Sequence, residues 1–144
     1  MRSKNESGFS LIELLLVVVI VGVVAAVAVP AYRKGISAAE KGVTNANLRT
    51  ISSTQVSFFS QNSRFGRLDE INRMLSGALG VLSGGGAQLY RNNYTFEMVG
   101  AGGVPTDAEL RTGYAVIATR NANPGDLIYQ FQITQDGVIQ QIQP

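Results

Sequence analysis

The sequence predicts an α+β chain: one long bent amino-terminal helix, its first half membrane-spanning, with a small four-stranded antiparallel sheet packed on its second half. Three observations carry this expectation. Leu14 to Val29 is an unbroken apolar run, about twenty residues long when counted from Phe9, and at 1.5 Å per residue it reaches the ~30 Å of a bilayer's hydrocarbon core. Beyond Pro30 the apolar residues change to a spacing of three and four, the mark of an amphipathic helix. The last third alternates residue by residue, as half-buried strands do.

Residues 1–8, MRSKNESG, are polar and basic and read as a leader that is cleaved. An ordinary secretory signal is the plain competitor, and Ala26-Val27-Ala28 even offers it a cleavage site. Two features oppose that reading. The apolar run exceeds the usual 7–15 residues of such a signal, and Glu13 sits inside it. A carboxylate there costs about 2–3 kcal/mol or more unless something pairs with it, so it points to a function and a partner. A cut between Gly8 and Phe9 would create that partner, a positively charged amine four residues before Glu13.

Residues 9–30 form the membrane and assembly helix. Gly22 and Ala26 make a small-x-x-x-small pair that lets helices approach. Pro30 lacks an N–H and crowds the carbonyl of Ala26, which predicts a bend. Residues 31–60 form the amphipathic half: Tyr32, Ile36, Ala39, Val43 and Ala46 make one stripe, and Leu48, Ile51, Gln55 and Phe58 a second on a neighbouring face; the half of the helix from about Gly42 onward is expected to carry the head. Residues 61–92 are a connecting region, with a short helix starting near Asp69 (Leu68, Ile71, Leu75, Leu79) and a flexible break at Ser83-Gly84-Gly85-Gly86. No Gly-x-x-x-x-Gly-Lys pattern surrounds those glycines, so they are not a phosphate cradle. Arg64, Arg67, Arg73 and Arg91 make this the most basic region, read as solvated rather than as a nucleic-acid surface. Residues 93–144 supply the sheet: NYTFEMV, GYAVIAT, Leu127 to Ile133, and Val138 to Gln143. Asp136-Gly137 is read as a two-residue hairpin turn, which sets Phe131 opposite Ile142 and Ile133 opposite the polar Gln140.

Composition narrows the function further. Twelve Lys/Arg against ten Asp/Glu give +2, and loss of the leader leaves ten against nine, too even for a nucleic-acid partner. The chain has neither Cys nor His, which removes disulfides, the common zinc ligands, thiol nucleophiles and imidazole bases. An enzyme is not expected, nor a cofactor. Asp107, Glu109, Asp126 and Asp136 fall in separate loops without the alternating spacing of a compact calcium loop, so no metal site is assigned.

The stretch GFSLIELLLVVVIVGVVAAVAVPAY resembles the amino-terminal segment of type IV pilins and of the pseudopilins of type II secretion. The resemblance implies the pilin fold, with leader cleavage between Gly8 and Phe9, N-methylation of Phe9, assembly through Phe9 and Glu13, and helix flexibility between Gly22 and Pro30. It implies as partners other copies of the chain, a prepilin peptidase/methyltransferase, an inner-membrane assembly platform and the membrane before assembly, with no nucleic acid. The implied location is the inner membrane as a single-pass precursor with a periplasmic head, then an extracellular pilus. Lack of Cys departs from the many pilins that close a carboxy-terminal loop with a disulfide. The expected function is a structural subunit of the major-pilin kind; a secretion pseudopilin shares every one of these amino-terminal residues. A membrane-anchored binding module or enzyme would leave the coincidence of Gly8, Phe9, Glu13, Gly22 and Pro30 unexplained.

Overall fold

The computed structural model describes residues 8–121 and 128–143. The leader before Gly8 and the acid Asp126 therefore lie outside the described residues, as does Leu127. The chain divides into two compact units, Met1–Ala39 and Glu40–Pro144.

The first unit holds the beginning of helix α1, Leu11–Asn62, which continues through Pro30 without a break in its assignment. Its apolar window has a mean hydropathy of 3.1 and none of it is buried.

In the second unit, α1 buries one face: Thr44, Asn47, Leu48, Ile51, Thr54, Gln55 and Phe58. Of the two stripes, that of Leu48, Ile51, Gln55 and Phe58 is the buried one, and Thr44 extends it by a further turn. Tyr32, Ile36 and Val43, on the other stripe, are exposed. Gln55 is fully buried and clips the helix to the following loop: its Nε2 donates to the Gly66 carbonyl and its Oε1 accepts from the Gly66 N–H, both at 2.7 Å. Space there is tight, since a Cβ on Gly66 would stand 2.8 Å from Ile71 Cδ1.

Helix α2, Leu68–Met74, sets Leu68 and Ile71 in the core, while Leu75 and Leu79 follow its end. The Arg67 N–H donates to Glu70 Oε2 at 2.8 Å, tying the first turn. Arg64 holds the same carboxylate with two nitrogens, at 2.6 and 2.8 Å, and Arg67 pairs with Asp107 at 2.7 Å. The Arg64 guanidinium beside Glu70 pulls the Glu70 carboxyl down to about 2.

The sheet has six strands where four were expected. It runs in sequence order with every neighbour antiparallel: β1 Val81–Ser83, β2 Gln88–Arg91, β3 Tyr94–Met98, β4 Ala115–Arg120, β5 Gln130–Thr134 and β6 Ile139–Gln143. The two additional strands come from the region read as a connector. Gly84, Gly85 and Gly86, with φ of 60°, 68° and 94°, form the turn of the β1–β2 hairpin; three successive positive φ values are open to glycine at little cost. Strands of three and four residues are too short to show alternation in a sequence.

Two details of the last hairpin also differ from expectation. Strand β5 begins at Gln130, so Ile128 and Tyr129 precede it. The β5–β6 loop has three residues, Gln135 to Gly137, because Ile133 is opposite Ile139 and Phe131 opposite Gln141. Gly137 has φ +73° and its N–H returns to the Thr134 carbonyl at 3.0 Å, the geometry of a three-residue hairpin. The one-residue change replaces the awkward Ile133–Gln140 match by Ile133 against Ile139.

Core side chains from both layers meet between α1 and the sheet, among them Leu48, Ile51, Leu89, Phe96, Val116 and Ile133. At the start of this stretch of helix, Glu40 pairs with Arg120 of β4 at 3.2 Å, and the Lys41 ammonium lies 3.5 Å from the centre of the Tyr129 ring.

Candidate functional site

The candidate site is the start of α1. Gly8, Phe9 and Ser10 lie outside the helix and are exposed, with Phe9 88% exposed. The Leu14 N–H donates to the Ser10 carbonyl at 3.2 Å, and the Ser10 N–H donates to Glu13 Oε2 at 2.9 Å. Ser10 is thus the cap residue, and Glu13, three positions on, supplies the carboxylate half of a capping box. The Ser-x-x-Glu spacing carries that information in the sequence. Glu13 Oε1 meets no donor among the described residues. The carboxylate is also at the end of α1 where the helix dipole favours negative charge.

Steric demands within one copy do not account for the small residues here. A Cβ built on Gly8 or on Gly22 would meet nothing within 4 Å. Fifteen large apolar side chains from Phe9 to Val29 are each at least 50% exposed. At about 1.5–3 kcal/mol for covering each, the helix stands to gain on the order of 20–40 kcal/mol from lipid or from other helices. Nothing smaller than a membrane or a bundle supplies that.

The chain carries a segment that matches a known family. Residues 3–29 match the family described as the prokaryotic N-terminal methylation motif. Across 63 residues the chain is 40% identical to the type IV major pilin protein PilA of Myxococcus xanthus (strain DK1622), an alignment covering 44% of this chain and 29% of that relative. The chain thus carries a prokaryotic N-terminal methylation motif and is similar to a type IV major pilin. It spans less than a third of the length of the curated relative that it matches.

Away from this segment, several titratable groups hold the fold together. Arg73 pairs with Asp69 at 3.3 Å and Arg91 donates to the Ala78 carbonyl, so all four arginines of the basic region have partners. Asp107 faces Arg67, and Asp136 accepts from the Thr134 hydroxyl. Glu109 accepts from the Ala101 N–H, the Thr106 N–H and the Thr106 hydroxyl, at 2.7–2.8 Å; these donors hold its carboxyl below the usual range. No group of three or more metal-ligating side chains occurs among the described residues.

Proposed function

We propose that this chain is the structural subunit, of the major-pilin kind, of a type IV pilus. The observation that carries the reading is an apolar helix, uncovered along its whole first half, that begins at a motif for amino-terminal methylation. The named relative, a type IV major pilin, favours the pilus over a secretion pseudopilus.

In this reading the precursor sits in the inner membrane by residues 9–30 with its head in the periplasm. A prepilin peptidase removes residues 1–8, Phe9 is methylated, and an assembly platform moves the subunit into an extracellular filament. The exposed, non-helical Gly8–Phe9 bond suits a peptidase's need for extended chain. Ser10 holds Glu13 toward the amino terminus by one oxygen, and the Phe9 amine of a neighbouring copy pairs with the carboxylate. That contact offsets the cost of the charge in an apolar setting and sets the register between copies. Gly22, with no neighbour in its own chain, gives room to an adjacent helix, and Pro30, by withholding an N–H from Ala26, marks where the helix yields.

The test is substitution at the two charged or scissile positions. Glu13→Ala and Glu13→Val should leave leader removal largely intact while lowering the yield of sheared filaments at least about tenfold, the equivalent of about 1.4 kcal/mol. Wild-type yield from both variants would rule out the pairing. Gly8→Glu should leave the leader attached in membrane fractions, and normal removal would refute the cleavage assignment.

A further inference from the structure

Among the described residues the sheet has two uncovered edge strands, β1 and β6. Strand β1 is exposed at all three residues, Val81, Leu82 and Ser83; β6 is exposed from Gln140 onward. Strand edges left in water recruit other strands through their unpaired N–H and C=O groups and are normally blunted by charged side chains, Pro, shortness or a bulge; β1 is short and β6 carries a bulge, but charge is missing from both. Here neither edge strand contains a charged residue, whereas β2, β3 and β4 carry Arg91, Glu97 and Arg120. The ladder shift against Gln130 and Phe131 makes Ile142 a bulge, leaving Ile139–Gln141 as a regular stretch of three residues, the length of β1. On the core side the row Phe131, Ala118, Phe96, Leu89, Leu82 ends on Leu82, which is 39% exposed.

Resting on the filament reading above, we infer that β6 of one copy pairs with β1 of the next, continuing the sheet from head to head. Direction supports this. Six alternating strands leave β1 and β6 antiparallel to each other, so a second copy in the same orientation presents β1 antiparallel to β6. Such a contact is heterologous and propagates without closing, as a helical filament requires. It also places Ile139 or Gln141 beside Leu82 and completes the row. The occupant is a second copy of this chain.

The chain's lack of cysteine makes the test clean. In filaments of Ser83→Cys/Gln140→Cys, the two Cβ atoms would be opposite at about 4.5–5.5 Å or diagonal at about 7–8 Å. A short bismaleimide should then yield a ladder of covalent multimers. Thr95→Cys/Gln140→Cys, with one thiol in mid-sheet, should yield none. Filaments of the first variant without a ladder would overturn the proposal. If that variant does not assemble, charge exchange decides: Val81→Lys and Gln140→Lys should each reduce filament yield severalfold and Val81→Lys/Gln140→Glu restore it, while failure to restore overturns the pairing. A wild-type chain that forms no filament at all would instead overturn the filament reading itself.

Discussion

At the scale of single residues, polar side chains divide between assembly and the fold. In the proposed reading Glu13 is the first kind; Gln55 and Glu70 are the second. Gln55→Leu keeps the volume but strands the Gly66 N–H and carbonyl in the core, which should cost about 2–4 kcal/mol; denaturant unfolding of the full chain in detergent micelles measures it. Glu70 gives a pH dependence whose sign follows from its depressed folded-state value. The stability it contributes is fully present above the ordinary carboxylate range, near pH 4.5, and is lost as pH falls toward about 2. Solvent screening at this partly exposed pair keeps the contribution to about 1–2 kcal/mol. Unfolding of wild type and Glu70→Gln should therefore differ by that amount at pH 6 and converge only as pH falls to about 2 and below; an equal difference at both would contradict the Arg64–Glu70 account. Glu13 was legible in the sequence because a charge in an apolar run is rare. The Arg64–Glu70 and Arg67–Asp107 pairs were not, since their partners are brought together by the fold rather than by spacing.

At the scale of elements, long periodic segments were readable and short ones were not. The 3-and-4 spacing gave two stripes on α1, of which the structure buries Leu48, Ile51, Gln55 and Phe58, and alternation located β3 and β4. Strands β1 and β2 escaped notice because three or four residues give no period, and because Gly84–Gly86 reads equally as a break or as a turn. The β5–β6 register turned on one residue: Asp136-Gly137 suits a two-residue loop in isolation, but burying Ile139 against Ile133 selects three. Glycine geometry makes a prediction at this scale. Gly80, at φ +141°, has no room for a Cβ, which would lie 2.4 Å from the Tyr90 carbonyl oxygen, whereas Gly77, at φ +81°, has open space. Gly80→Ala should destabilise the head by about 3 kcal/mol or more, with loss of the β1–β2 hairpin, and Gly77→Ala by about 1 kcal/mol. Thermal unfolding of the two variants compares them directly, and equal losses would contradict the assigned hairpin.

At the scale of the whole molecule, the chain combines a head held in part by paired charges with a helix half whose large apolar side chains are exposed. The head's buried core lies within residues 40–144; in the proposed reading, lipid or other copies of the chain cover the helix. This explains why Gly22 has no packing partner in a single copy. Gly22→Leu should leave precursor level and head stability unchanged yet lower filament yield, as read by immunoblot of sheared and cell-bound fractions; unchanged yield would remove Gly22 from the helix–helix contact. The account's central claim is that a methylated, leader-free chain polymerises through that helix. The most direct measurement is electron microscopy of sheared surface filaments together with mass spectrometry of their subunit. The account predicts filaments whose subunit begins at N-methylated Phe9; surface fractions that hold only unpolymerised chain, or chain still carrying residues 1–8, would contradict it.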